Sequence, residues 1–167
     1  MPESPGTLIT VAPAPGPIGH LLRTAIDAEQ VGAARLHLSP DQPELEAAIT
    51  ALRGQTRLIL TSAADVAGLD RVTSGFIDRQ LQDGDDLPAL VVDVAGLVAA
   101  HPSGVSLCGA GSAALPVLLA ALASGGHLTV ASTTRDHAAL VARASGLARI
   151  AGRPPLDRAA ARDLLGL

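Results

Sequence analysis

Short apolar runs rich in Val, Ile and Leu recur along the chain with helical segments between them, and this alternation limits the folds open to it. The runs are residues 8–14 (LITVAPA), 34–38 (ARLHL), 57–62 (RLILTS), 90–94 (LVVDV), 105–108 (VSLC) and 127–131 (HLTVA). Each has the length and composition of a buried strand. Helical spacing fills most of the intervals. Ile18, Leu21, Leu22, Ala25 and Ile26 mark one helix, with Gly32 placed to cap its C-terminus. Others are predicted over 41–52, 113–123 and 136–151, with a shorter one at 96–100 and a last helical turn or two in ARDLLGL. Between 64 and 87 the pattern weakens; the spacing predicts a helix over 72–81 and a loop at 82–86. Strands alternating with helices in this way form βαβ units and a parallel sheet. The expected organisation is one α/β domain over 7–167 behind a disordered tail at 1–6.

Composition narrows the function. Apolar residues make up 48% of the 167-residue chain and aromatic residues 1%, with Phe76 the single aromatic. Stacking platforms for single-stranded nucleic acid are therefore missing, and a net charge of −4 without a basic run leaves no footprint for a duplex or a polybasic membrane contact. All twelve basic residues are Arg, which excludes lysine chemistry. A single cysteine, Cys108, excludes a cysteine-cluster metal site. The acidic, Pro-rich start is unlike a signal peptide, and the longest apolar run, 113–123, is too short to span a bilayer. A cytoplasmic protein with no nucleic-acid or membrane partner is expected.

Parallel α/β folds keep their chemistry in the loops that follow the strands. After the second run, His37 and Ser39 alternate by two and share a strand face. A His-x-His pair there would hold zinc from one rigid strand, whereas serine is a poor zinc ligand. After the third run stand the hydroxyls of Thr61 and Ser62, with no base adjacent in sequence. Asp93 is the lone acid of the LVVDV run. After the fifth run, Gly109-Ala-Gly111-Ser112-Ala-Ala opens a helix, a loose dinucleotide or phosphate pattern that points to Gly109, Gly111 and Ser112 as cofactor-binding residues. Downstream, Ser132-Thr-Thr-Arg135 has the character of a 2′-phosphate pocket, so an NADP- or CoA-type phosphate is one candidate ligand.

Taken together, GAARLHLSPD, GAGSAALP, GGHLTVASTT and the closing GRPPLDRAAARDLLGL resemble the β-keto acid cleavage enzymes, the 3-keto-5-aminohexanoate cleavage enzyme family. The resemblance covers roughly 7–63 and 104–167. It implies a TIM barrel that binds zinc at the strand ends and cleaves a β-keto acid with an acyl-CoA partner such as acetyl-CoA. Carried over residue by residue, the first zinc histidine falls on His37 and the second on Ser39. The zinc-binding glutamate falls on Thr133 and the catalytic aspartate beside it on Thr134. The substrate arginine falls on Thr129, the acid after the first strand near Pro17, and the serine after the third strand on Ala63 or, with a one-residue slip, on Ser62.

These replacements lead to the expectation of a degenerate member of the family, a pseudoenzyme that has not kept the metal. Length adds a second expectation. A TIM barrel takes about 250 residues, so two middle βα units are absent and an incomplete, TIM-barrel-like sheet of about six strands remains. Such a sheet exposes edges, and a homo-oligomer would cover them. The ligand expected at the rim is a small anionic molecule. A non-catalytic oligomeric or partner-binding protein is the remaining alternative.

Overall fold

In the computed structural model, which describes residues 6–81, 86–132 and 136–167, the strands are β1 (Ile9–Pro13), β2 (Arg35–Leu38), β3 (Ile59–Ser62), β4 (Ile77–Leu81), β5 (Val105–Gly109) and β6 (His127–Ser132). The helices are α1 (Ile18–Gln30), α2 (Leu45–Gln55), α3 (Leu87–Ala100), α4 (Ala114–Ser124), α5 (His137–Ile150) and α6 (Arg158–Leu165). A 3-10 turn, Gly111–Ala113, leads into α4. Every strand pairing is parallel, and the sheet order is β3-β2-β1-β6-β5-β4.

That order is a ring with a break in it. Strands one to three run in sequence, strands four to six run in sequence, and β6 closes back on β1. A complete (β/α) barrel has eight strands; the place of the two absent ones is the gap between β3 and β4. The sheet curls as a barrel wall does. Laid flat, β2 and β4 would be about 19 Å apart, four inter-strand spacings. Yet the Arg35 guanidinium on β2 bonds the Asp78 carboxylate on β4 across the concave side. The architecture is an incomplete TIM-barrel-like α/β fold, as the family resemblance and the length of the chain implied.

Alternation along the strands sorts the side chains. Ile9, Val11, Leu36, Leu60, Leu107 and Leu128 face outward and pack with Leu21, Ala25, Ile49, Leu52, Val117 and Val141 of the helices. A second, smaller core closes one end of the barrel: Leu8, Ile59 and Phe76 meet Ala161 and Leu165 of α6. Asp157 caps α6 by accepting the Ala160 N–H at 2.9 Å. The helical turn expected in ARDLLGL therefore docks as the barrel's floor.

The break is bridged by the chain itself. Segment 63–76 runs from β3 to β4, and Asp70 within it satisfies the free edge of β3. The Leu60 N–H donates to the Asp70 carboxylate at 2.9 Å, and the Asp70 N–H donates to the Leu60 carbonyl at 2.7 Å. Arg53 at 2.8 Å and Arg162 at 3.6 Å hold the same carboxylate from two sides. Further along, the Thr73 N–H and hydroxyl donate to the carbonyls of Leu165 and Gly166 at the end of α6. At Leu60 the β3 edge is thus bonded from within the chain.

Helix α2 begins at Leu45 rather than at 41, the short helix expected at 96–100 is the end of α3, and two expected elements change type. Residues 77–81, expected inside a helix over 72–81, form β4, paired with β5 from Ile77↔Val105 to Leu81↔Gly109. Its middle residues Asp78, Arg79 and Gln80 are exposed, because one side of this strand is the open edge. Charged, open edges resist further pairing, and their polarity hid the strand. Residues 90–94, expected as a strand, lie within α3, where Asp93 is exposed. An apolar run without a period cannot distinguish strand from helix. Here the cap decides: Asp86 accepts the Ala89 N–H at 3.1 Å, with Pro88 in the first turn. The count of about six strands stands because one gain offsets one loss.

Candidate functional site

The concave side of the sheet is polar. Thr10, Arg35, His37, Thr61, Asp78, Ser106 and Thr129 point inward, opposite in parity to the outward apolar set. Six of them are joined pairwise: His37 Nδ1 to the Thr61 hydroxyl at 3.1 Å, Ser106 to Thr129 between hydroxyls at 2.7 Å, and Arg35 to Asp78. Arg35 is fully buried, and its guanidinium lies 5.3 Å from the Phe76 ring centre. Its Nε and Nη1 have no hydrogen-bond partner, nor does the hydroxyl of Thr10, which sits opposite Arg35 in the β1–β2 register. Such orphaned donors are costly and uncommon.

Two histidines line this interior, and both are held neutral. Burial, the Arg35 charge and a weaker opposing pull from Asp78 leave His37 below the ordinary histidine range. His127 is lower still, at about 4, through burial first and then the charges of Arg153 and Arg35. Its Nδ1 accepts the Leu8 N–H at 3.0 Å, so its neutral form carries the proton on Nε2. Burial pushes the Cys108 thiol up, which leaves no thiolate nucleophile at neutral pH.

A cavity of about 330 Å³ opens beside His37, walled by Thr61, Ser62, Asp65, Asp70 and Asp78. Each of these acids is paired with an arginine: Asp65 with Arg71, Asp70 with Arg53 and Arg162, and Asp78 with Arg35. The wall is polar and close to charge-balanced.

The structure brings His37, Thr61 and Ser62 together at this cavity. Ser39 is half-buried on the loop beyond β2, where its hydroxyl accepts the Asp41 N–H at 3.2 Å; Ser62 accepts the Ala64 N–H in the same way. Thr129 is committed to Ser106. Gly109 lies elsewhere, on a groove between α4 and α5. A Cβ on Gly109 would meet the Ala113 carbonyl oxygen at 2.5 Å, so glycine there permits the start of α4 to pack against β5. Gly111 has a φ of +53° and is exposed, as is Ser112. Thr133 and Thr134 lie outside the described residues. The residues that sequence reasoning passed over are Arg35, Asp78 and Asp70. For Arg35 a signal existed: it is the one charge in an apolar strand and shares a face with His37.

The zinc that the resemblance implies does not fit the donors described. A catalytic zinc takes three protein ligands. His37 already shares Nδ1 with Thr61, Asp78 is tied to Arg35, and a guanidinium occupies the same strand face two residues from His37. Among the described residues no group of three or more His, Cys, Asp or Glu side chains could hold a metal ion. No helix in the described part is long and apolar enough to cross a membrane.

No curated protein matches the chain closely enough to be counted a relative. A family model does: residues 72–167, from the end of the bridging segment through β4 to α6, match that of the beta-keto acid cleavage enzymes. This stretch is more than half of the chain. It includes the second half of the broken ring, with β6 closing on β1 as a barrel's last strand does, and on this match the chain belongs to the beta-keto acid cleavage enzyme family.

Proposed function

We propose that this chain keeps the family scaffold without the zinc-dependent cleavage of β-keto acids, and that it binds a small polar anion, a β-keto acid carboxylate being the first candidate, in the cavity beside His37. The observation that carries the reading is Arg35. Arg35 stands two residues from His37 on the same strand face, about 7 Å between the two Cα atoms at strand rise, and its positive charge disfavours a divalent cation at that histidine and favours a carboxylate. Arg35 is fully buried and is not among the residues that wall the cavity, so it acts on a bound anion through its charge. The paired acids of the wall reduce the repulsion an anion meets there. His37, being neutral, is available as a hydrogen-bond donor or acceptor rather than as a charge.

The test combines metal content with turnover. After incubation with zinc and desalting, the protein should retain far less than one equivalent, and acetyl-CoA-dependent loss of a β-keto acid should be absent. Thermal unfolding without zinc should shift upward with acetoacetate, because a ligand of the native state raises apparent stability. Stoichiometric zinc with turnover would overturn the reading. So would stabilisation by NADPH alone, which favours a dinucleotide at Gly109, Gly111 and Ser112. A chain that none of these ligands stabilises supports a purely structural or partner-binding role instead.

A further inference from the structure

The exposed large apolar side chains are not scattered. Among the described residues they are Leu87, Val91 and Val92 on α3, Leu115 and Leu119 on α4, and Ile150 at the end of α5. These are three consecutive helices on one side of the ring, and α1, α2 and α6 contribute none. Val92 is 70% exposed and Ile150 84%. Scattered surface leucines are ordinary, but a contiguous patch marks an interaction site. The helices themselves say the same. Of fourteen residues in α3 only Asp93 is charged, and α4 carries no charge at all. A helix apolar on every side is one that expects cover on every side. Between α4 and α5 the patch deepens into a groove of about 520 Å³, reached by Leu115, Leu118, Leu140, Leu147 and Ile150.

We propose that the chain forms a twofold homodimer through the outer face of α3, α4 and α5, with the axis running along α4 so that Asp93 of each copy meets Arg143 of the other.

Three observations select this occupant. A small apolar ligand would fill the groove and leave Leu87, Val91 and Val92 exposed. A membrane surface is disfavoured by the net charge of −4, the absence of lysine and the uncharged α4, since interfacial helices carry basic residues on their polar face. A second copy covers all three helices, and the charges of the face fit it. Asp93 and Arg143 are opposite in sign, both exposed, and neither has an ion-pair partner among the described residues. Each is the seventh residue of a fourteen-residue helix. Because α3 and α5 follow parallel strands and flank α4, they run in the same sense. An axis along α4 lays the partner's α3 over α5 at equal height, so the two charges meet twice, as an isologous contact requires.

Sedimentation equilibrium on the full chain tests this. The expected mass is that of two 16.7 kDa chains, independent of zinc, β-keto acid or coenzyme. Leu119→Glu should give a monomer with an unchanged circular dichroism spectrum. Asp93→Arg or Arg143→Asp alone should weaken the dimer about tenfold, and the two together should restore it. A wild-type monomer at every concentration overturns the proposal, as does a monomer that binds lipid vesicles. A dimer that survives Leu119→Glu, or a charge swap no tighter than the single reversals, also overturns it.

Discussion

The two faces of the curled sheet are built to different rules. The outer face is a continuous apolar layer of Ile9, Val11, Leu36, Leu60, Leu107 and Leu128 set against the helices. The inner face is a set of separate polar pairs, His37 with Thr61, Ser106 with Thr129 and Arg35 with Asp78. Apolar burial is non-directional and grows with area, so the outer layer stabilises the fold whichever residues fill it. A polar pair contributes little net energy, and leaving one partner buried and unpaired is what costs. The inner face can therefore exchange one chemistry for another while the barrel wall stays intact. That is how the barrel wall can hold an arginine beside His37 without loss of the fold.

This comparison ranks the expected effects. The largest belongs to the outer face. Leu36→Ala, at a fully buried position, should cost about 2–5 kcal/mol in urea unfolding, with little difference between pH 7 and pH 5. A loss below about 1 kcal/mol would mean that the outer layer does not anchor the fold. Next comes His127 on the inner face. Its pKa near 4 in the folded chain lies below the unfolded value of 6.5, so the unfolded state binds the proton more readily. The stability this group contributes is fully present above pH 6.5 and is lost as pH falls toward 4. The loss is on the order of 3 kcal/mol. His127→Gln should flatten that part of the profile; an unchanged profile would show that the histidine is protonated equally in both states.

Breaking the Arg35–Asp78 pair should rank third. Removing one member of a fully buried pair costs about 3–5 kcal/mol, but the Asp78 side chain is 41% exposed, and solvent reaches the pair from that side. Asp78→Asn should therefore cost about 2 kcal/mol, and Arg35→Met added to it should recover much of the loss. A double variant no better than the single one would mean that the charge of Arg35 is satisfied by other means. The smallest effect is expected from Ser106→Ala, which leaves the Thr129 hydroxyl without its partner, at about 1 kcal/mol. Should it exceed Asp78→Asn in the same unfolding assay, the inner face is a cooperative network rather than a set of pairs.

The alternation of apolar runs and helical segments was enough to specify a parallel α/β sheet and a closing helical segment in ARDLLGL. Periodicity reports which side of an element is buried, and that is local information. The family frame was legible for the same reason, in motifs that keep their order and spacing. His37, Thr61 and Ser62 could be nominated because strand ends follow from the strands. Their convergence on one cavity, and the separation of Gly109 from it, could not. The tertiary structure also decided which segment became the fourth strand. Residues 77–81 look polar in one dimension because only β5 covers them, and 90–94 look strand-like because nothing in a uniformly apolar run declares a period. Above all, the structure decided what stands beside His37. Asp78 is far from Arg35 in sequence, and only the curl of the sheet brings the two charges together across the open ring.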